Sequence, residues 1–195
     1  MNKVYCSLLE FPIVVDYICK PSFKEDIPEN GSSINQMLAN YSHMKPAIGG
    51  LWSSPFLEDG DFFSDWHRFV SKAGFFKKGR VLTTFNLKEG YNVLVVDDYD
   101  SLIEFCNRYL RGVDDIEKYL ADSFSTPSFD FWKSYVDWRA ICQELDAIYI
   151  DSSMTIFPFL RYLDVDTLYV INKDVIDPDS LVSYELIKGE LVLIK

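Results

Sequence analysis

Gly49-Gly50 leads into Leu51-Trp52-Ser53-Ser54, and Pro55 closes the run. A glycine pair frees the backbone for a tight turn, and this turn delivers two hydroxyls beside a large aromatic ring. Such a segment can hydrogen-bond and stack a small polar ligand, or it can be the plain start of a strand. Asp97, Asp98 and Asp100 form a second cluster. Three carboxylates suit Mg2+ or Ca2+, but Ser101 and Glu104 follow at the spacing of a capping box, and acids are favoured at the positive end of a helix. Capping is the stronger reading, and no metal is expected. Cys6, Cys19, Cys106 and Cys142 contain no C-x-x-C pair, and His43 and His67 are equally scattered. Structural zinc is therefore disfavoured and buried free thiols are expected; a cysteine nucleophile with a histidine partner has nothing local to mark it. Neither G-x-G-x-x-G, G-x-x-x-x-G-K-[ST] nor G-x-S-x-G occurs, which removes sequence support for a Rossmann site, a P-loop or a serine elbow.

These residues must be positioned by a core, and the composition supplies one. The 195 residues are 48% hydrophobic, with 15 Phe and 12 Tyr. That length suits a single domain spanning 1–195. Acidic residues number 30 against 19 Lys and Arg, a formal net charge of −11. Nucleic acid and anionic membranes bind mainly through cationic groups, so both are disfavoured as partners, although a nucleic acid as acceptor stays open. The balance favours a basic protein target, a small molecule, or solubility alone. No apolar run approaches the length of a signal peptide or membrane span, and the expected location is a reducing cytoplasm.

Apolar spacing outlines the elements. Val4 to Leu9 reads as an initial strand, followed by an apolar run from Phe11 to Ile18. Lys20 to Ser33 reads as a loop, in part a lid or mobile, because Pro21, Pro28 and Gly31 interrupt it. Ile34 to Tyr41 suggests a short helix, and Leu51 to Ser54 a short strand stopped by Pro55. Ser64 caps a helix whose inner stripe is Trp66, Phe69, Val70 and Ala73, ended by Gly74, leaving His67 and Arg68 on the solvated side. Strands follow at Arg80 to Leu87 and, after a turn at Gly90, at Tyr91 to Val96, where continuous apolarity suggests a central position. Helices are expected from Ser101 past Tyr109, over Asp114 to Asp122, and after Asp137, with Trp138, Ile141, Cys142 and Leu145 on one side. Phe129, Phe131, Trp132 and Tyr135 are expected to cover the core. Further strands fit Ala147 to Ile150, Thr167 to Ile171 and Leu191 to Ile194, the last as an edge or closing hairpin. The elements do not alternate as βαβ units, so the fold class is α+β, with mixed, largely antiparallel sheets and flanking helices.

The run Lys45-Pro46-Ala47-Ile48-Gly49-Gly50-Leu51-Trp52-Ser53-Ser54-Pro55 resembles the "KP-x-GLW-x-S" segment of small bacterial and phage proteins of the ADP-ribosyltransferase-like fold. A helix with an internal Trp follows, as in that family. Val136-Asp137-Trp138-Arg139-Ala140-Ile141 and Leu145-Asp146-Ala147-Ile148-Tyr149-Ile150 are similar to its "IDW-x-x-V" and "YDGI" pair. The resemblance spans most of residues 45–172 through short, degenerate matches.

The resemblance implies transfer of ADP-ribose from NAD to a macromolecular acceptor. A first-strand His or Arg would hold the ribose and phosphates, a hydroxyl on the second key strand would orient the nicotinamide, and a late Glu would stabilise the oxocarbenium ion. Positive charge grows on the ribose as nicotinamide leaves, so a nearby carboxylate lowers the barrier. Carried over, the cofactor-binding positions fall on Tyr5, Cys6 and Ser7, with Trp52 as a stacking wall and Ser53 or Ser54 as the hydroxyl. The carboxylate falls on Asp166, with Asp164 as the near alternative; the bland reading makes both loop acids facing water. Two departures stand out. No His or Arg occupies the first strand, and Asp replaces Glu, which is one methylene longer. The implied alternative to a transferase is therefore a catalytically inactive relative that inhibits or adapts a protein partner.

Overall fold

Short runs of β-branched, aromatic and aliphatic residues set the strands. They are β1 (Tyr5–Leu9), β2 (Leu51–Pro55), β3 (Val81–Phe85), β4 (Val93–Val96), β5 (Leu110–Arg111), β6 (Tyr135–Val136), β7 (Ala147–Ile150), β8 (Thr167–Val170), β9 (Val182–Ile187) and β10 (Glu190–Leu193). The computed structural model describes residues 4–9, 12–22, 49–57, 62–72, 81–123, 134–156, 160, 165–187 and 190–194. Eight strands form one sheet in the order β10-β9-β3-β1-β2-β8-β7-β4, and β5 pairs with β6 apart from it. Every neighbouring pair in the large sheet is antiparallel except β4 with β7. This is the mixed, largely antiparallel α+β class expected from the sequence.

Alternation along each strand divides the core into two layers. Ile148 and Ile150 of β7 point to one side and Ala147 and Tyr149 to the other, and all are buried. On the first side the sheet packs against α2 (Tyr99–Tyr109), α3 (Ile116–Ser123) and α4 (Trp138–Glu144), in a cluster that includes Val96, Phe105, Tyr109, Trp138 and Tyr169. Full burial of each such side chain contributes roughly 1.5–3 kcal/mol. On the second side Tyr5, Ile13, Phe85, Tyr149, Val170 and Ile176 form another cluster, joined by Val15, Ile18 and Leu181. The helix α1 (Asp65–Lys72) stands near β2, beside a smaller cluster of Cys6 and Leu82 with Phe56, Phe63 and Leu191.

Several local expectations hold. Gly49 and Gly50 have φ of +89° and +66°, and an added Cβ would lie 2.3 Å from Lys20 O at Gly49 and 2.4 Å from the Tyr169 ring at Gly50. Asp137 caps α4 through Ala140 N, at 3.0 Å. Ser64 caps α1, accepting from His67 N at 3.0 Å.

Others are corrected. The cap of α2 is Asp98, whose Oδ1 accepts from Ser101 N at 2.8 Å, so the box is Asp98 with Ser101 and not Ser101 with Glu104. The apolar strand β4 is an edge strand, parallel to β7, and not central. Leu94 and Val96 pack into the helical layer and Val93 against the opposite one, while Val95 is 38% exposed, as an edge position allows. Two positions of α1 depart from the expected pattern: His67 is 7% exposed, whereas Trp66 is 40% exposed. Two rings just before the helix cause this, Phe63 stacking on His67 at 5.3 Å and 6° and Phe62 meeting it edge-on at 5.4 Å. Strand β9 had no expected counterpart. The expected helix over 34–41, most of the loop over 20–33, Lys45 to Ile48, and Phe129, Phe131 and Trp132 lie outside the described residues.

Candidate functional site

The residues assigned to NAD on β1 and β2 lie on neighbouring strands, with Cys6 opposite Ser54 and Tyr5 opposite Pro55. Pairing places them side by side, but the pleat divides them between the two faces. Tyr5, Ser7 and Ser53 point to the layer covered by Ile13, while Cys6, Trp52 and Ser54 point to the other.

On the first face Ser7 Oγ donates to Trp52 O at 2.7 Å and lies 2.7 Å from Ser53 Oγ. A hydroxyl carries one proton, so with that of Ser7 given to Trp52 the Ser53 hydroxyl donates to Ser7. Both are buried. The row of hydroxyls continues across the sheet, Thr83 Oγ1 lying 2.9 Å from Ser183 Oγ and accepting from Ile13 N at 3.2 Å. Ser53 is thus part of a buried cross-strand network beneath the 12–18 segment.

On the opposite face Trp52 stacks on Tyr169 at 4.2 Å and meets Trp138 edge-on at 5.9 Å, a packing role in the helical layer. Ser54 is buried and donates to the backbone oxygen of Asp166. Cys6 is buried, and desolvation pushes its thiol up to about 12 against the smaller opposing effect of a hydrogen bond with Ser64. A thiol so raised is protonated at neutral pH and is a poor nucleophile.

Asp166 precedes β8. Extending the β2–β8 register brings it level with Pro55 and, through the β1–β2 pairing, with Tyr5. Its Oδ2 accepts from Tyr149 OH at 2.9 Å and its Oδ1 from Ser152 N at 2.8 Å. Burial first, and then the negative charge of Asp166, raises the Tyr149 hydroxyl well above the ordinary tyrosine range. The carboxylate therefore caps the short helical turn Ser152–Ile156 and anchors a core tyrosine. Asp164 lies outside the described residues. The structure brings together Tyr5, Ser54, Tyr149 and Asp166 at one end of the sheet, and it does not bring Trp52 or the Ser53 hydroxyl to them as a common surface.

The chain matches no protein-family model, no curated protein and no solved structure.

The described residues do form a cavity, of about 460 Å3, at the other end of the same strands. It lies beside Asp146, just before β7, and Ile171 and Asn172, just after β8, with Lys20, Cys142 and Lys173 also on its wall. Its polar groups are largely engaged: Asp146 accepts from Asn92 N and Asn172 Nδ2, both at 2.8 Å, and Lys173 pairs with Asp16 at 3.0 Å. None of these residues was assigned to a binding site from the sequence, although Cys142 and Asp146 lie in segments named there. The available signal was polar residues at strand ends, Asp146 before one apolar run and Asn172-Lys173-Asp174 after another. Among the described residues no group of three or more His, Cys, Asp or Glu side chains could hold a metal ion, and no helix is long and apolar enough to cross a membrane.

Proposed function

We propose that this chain is a non-catalytic binding protein on an ADP-ribosyltransferase-like scaffold, acting by engaging a protein partner. The observation that carries the reading is that the side chains assigned to NAD chemistry are already engaged inside the fold. Orientation of a nicotinamide needs a hydroxyl free to reach it, yet the Ser53 proton is given to Ser7 in a buried row. Trp52 is packed into the helical layer, stacked on Tyr169 and edge-on to Trp138, on the opposite face of the sheet from the Ser53 hydroxyl that would act beside it. Stabilising an oxocarbenium ion needs a carboxylate placed to within about 1 Å, and Asp166 is committed to Tyr149 and Ser152. The first strand supplies no His or Arg to hold phosphates. A net charge of −11 favours a cationic protein surface as the partner.

The transferase reading keeps one observation in its favour: Asp166 and Tyr5 stand at the same level across β8, β2 and β1. It requires NAD to displace Tyr149 from the Asp166 carboxylate. Calorimetric titration with NAD separates the two. The binding reading expects no heat up to millimolar NAD. Saturable heat that disappears in a folded Asp166→Asn variant, together with release of nicotinamide, would overturn it and restore the transferase.

A further inference from the structure

Strand β4 ends the sheet beyond β7, and among the described residues no strand pairs with its outer side. Val96 O accepts from Asp151 N and Asn92 O from Asp146 N, both at 2.9 Å. In a parallel ladder every second residue of a strand bonds to the same neighbour. Asn92, Leu94 and Val96 therefore face β7, and Val93 and Val95 turn their N–H and C=O groups outward. Directly beyond the strand come Asp97, Asp98 and Asp100, all exposed. Extending the β4–β7 register sets Asp151 beside Asp97. Asp98 caps α2 and Asp151 accepts from Ser153 N at 2.9 Å, but among the described residues none of these carboxylates has a cationic partner.

We infer that β4 takes an extended basic peptide segment of a protein partner as an added antiparallel strand, with an apolar residue opposite Val95 and a lysine or arginine opposite Asp97. This rests on the reading of the chain as a binder of a cationic partner and names where that partner docks. In strand addition the main-chain bonds give attachment and the side chains give selectivity. Here Val93 and Val95 offer the bonds, and the carboxylates select the charge. Residues two apart on a strand share a face, so Val95 and Asp97 present an apolar and an acidic position side by side to peptide residues that are themselves two apart. A second copy of this chain would bring more carboxylates to an end already rich in them. The acids thus guard the edge against its own kind and leave it open to a basic strand.

The test is fluorescence anisotropy of the full chain with a labelled peptide, Lys-Thr-Lys-Thr-Val-Thr-Val, whose antiparallel pairing sets its second lysine opposite Asp97 and its valines opposite Val95 and Val93. Saturable binding that weakens with salt is expected, and none with glutamate in place of both lysines. Asp97→Asn combined with Asp100→Asn is expected to weaken binding and flatten its salt dependence. N-methylation of the peptide's first valine removes the N–H that would reach Val95 O, and Val95→Pro removes an outward N–H without touching the ladder to β7. Each is expected to weaken binding roughly fivefold, the worth of one net hydrogen bond, with wild-type circular dichroism in the protein variants. No binding at low salt overturns the inference. So does binding indifferent to both N-methylation and Val95→Pro, which would mean charge alone, and so does self-association abolished by Val95→Pro, which would give the edge to a second copy. Failure of the peptide leaves the non-catalytic reading to the NAD titration, whereas nicotinamide release overturns that reading whatever the peptide does.

Discussion

Gly50 shows how one backbone position supports the candidate segment. Its φ of +66° is a conformation L side chains rarely adopt, and an added Cβ would come within 2.4 Å of Tyr169, itself fully buried and stacked on Trp52. Strain at such a residue costs about 1–3 kcal/mol, and overpacking adds a similar amount. Gly50→Ala is therefore expected to destabilise the fold by about 3 kcal/mol or more, read as a lowered denaturant midpoint, with loss of the near-ultraviolet signal of the Trp52–Tyr169 stack. A midpoint equal to wild type would mean that the turn does not need glycine. This requirement was legible in the sequence as a glycine pair before an aromatic residue. The roles of Ser53 and Asp166 were not, because their partners, Ser7 and Tyr149 for the side chains, come from other strands. A serine within a strand looks the same whether its proton is free or given away.

Helix α1 carries a pH dependence that its sequence disguised. His67 is buried, its Nδ1 accepts from Phe63 N at 3.1 Å, and desolvation lowers its pKa from the ordinary value near 6.5. A depressed histidine binds a proton more readily unfolded than folded, so its contribution to stability is full above about pH 6.5 and is lost as pH falls through the folded value. Melting temperatures between pH 7.5 and 5.5 are expected to fall, and the fall is expected to be shallower in His67→Gln; an unchanged slope would remove His67 as the cause. The apolar stripe had placed Trp66 inside and His67 outside, the reverse of their exposures. Helical periodicity records which residues lie on one side but not which side neighbouring segments cover, and here Phe62 and Phe63 decide that. The same limit applied to β4, where an apolar run is silent about whether a further strand follows, and Val95 is exposed at the edge. Caps were read more successfully, since Asp137 and Ser64 bond to amides three residues away and the whole interaction is local.

At the scale of the whole molecule the fold class was legible and the sheet order was not. Adjacent strands β1 and β3 are joined across residues 5–9 and 81–85, and β2 and β8 across 51–53 and 168–170, separations over which local patterns carry no information. Charge, by contrast, is fully legible. The described ion pairs, Asp65–Arg68, Arg108 with Glu104 and Glu144, Arg111–Asp137 and Asp16–Lys173, all have solvent-exposed members. Exposed pairs contribute little, about 0–1 kcal/mol each, so screening them costs little. The net charge of −11 instead makes the compact state repel itself. Salt shortens the range of that repulsion to about 10 Å at 0.1 M. Raising sodium chloride from about 0.02 to about 0.3 M should therefore stabilise the fold, on the order of 1 kcal/mol, or roughly 2–4 °C in melting temperature for a chain of this size. The measurement belongs at neutral pH, where His67 is neutral. A melting temperature that fell with salt would mean that the ion pairs outweigh the repulsion, and that the acidic surface is locally compensated instead of held free for a cationic partner.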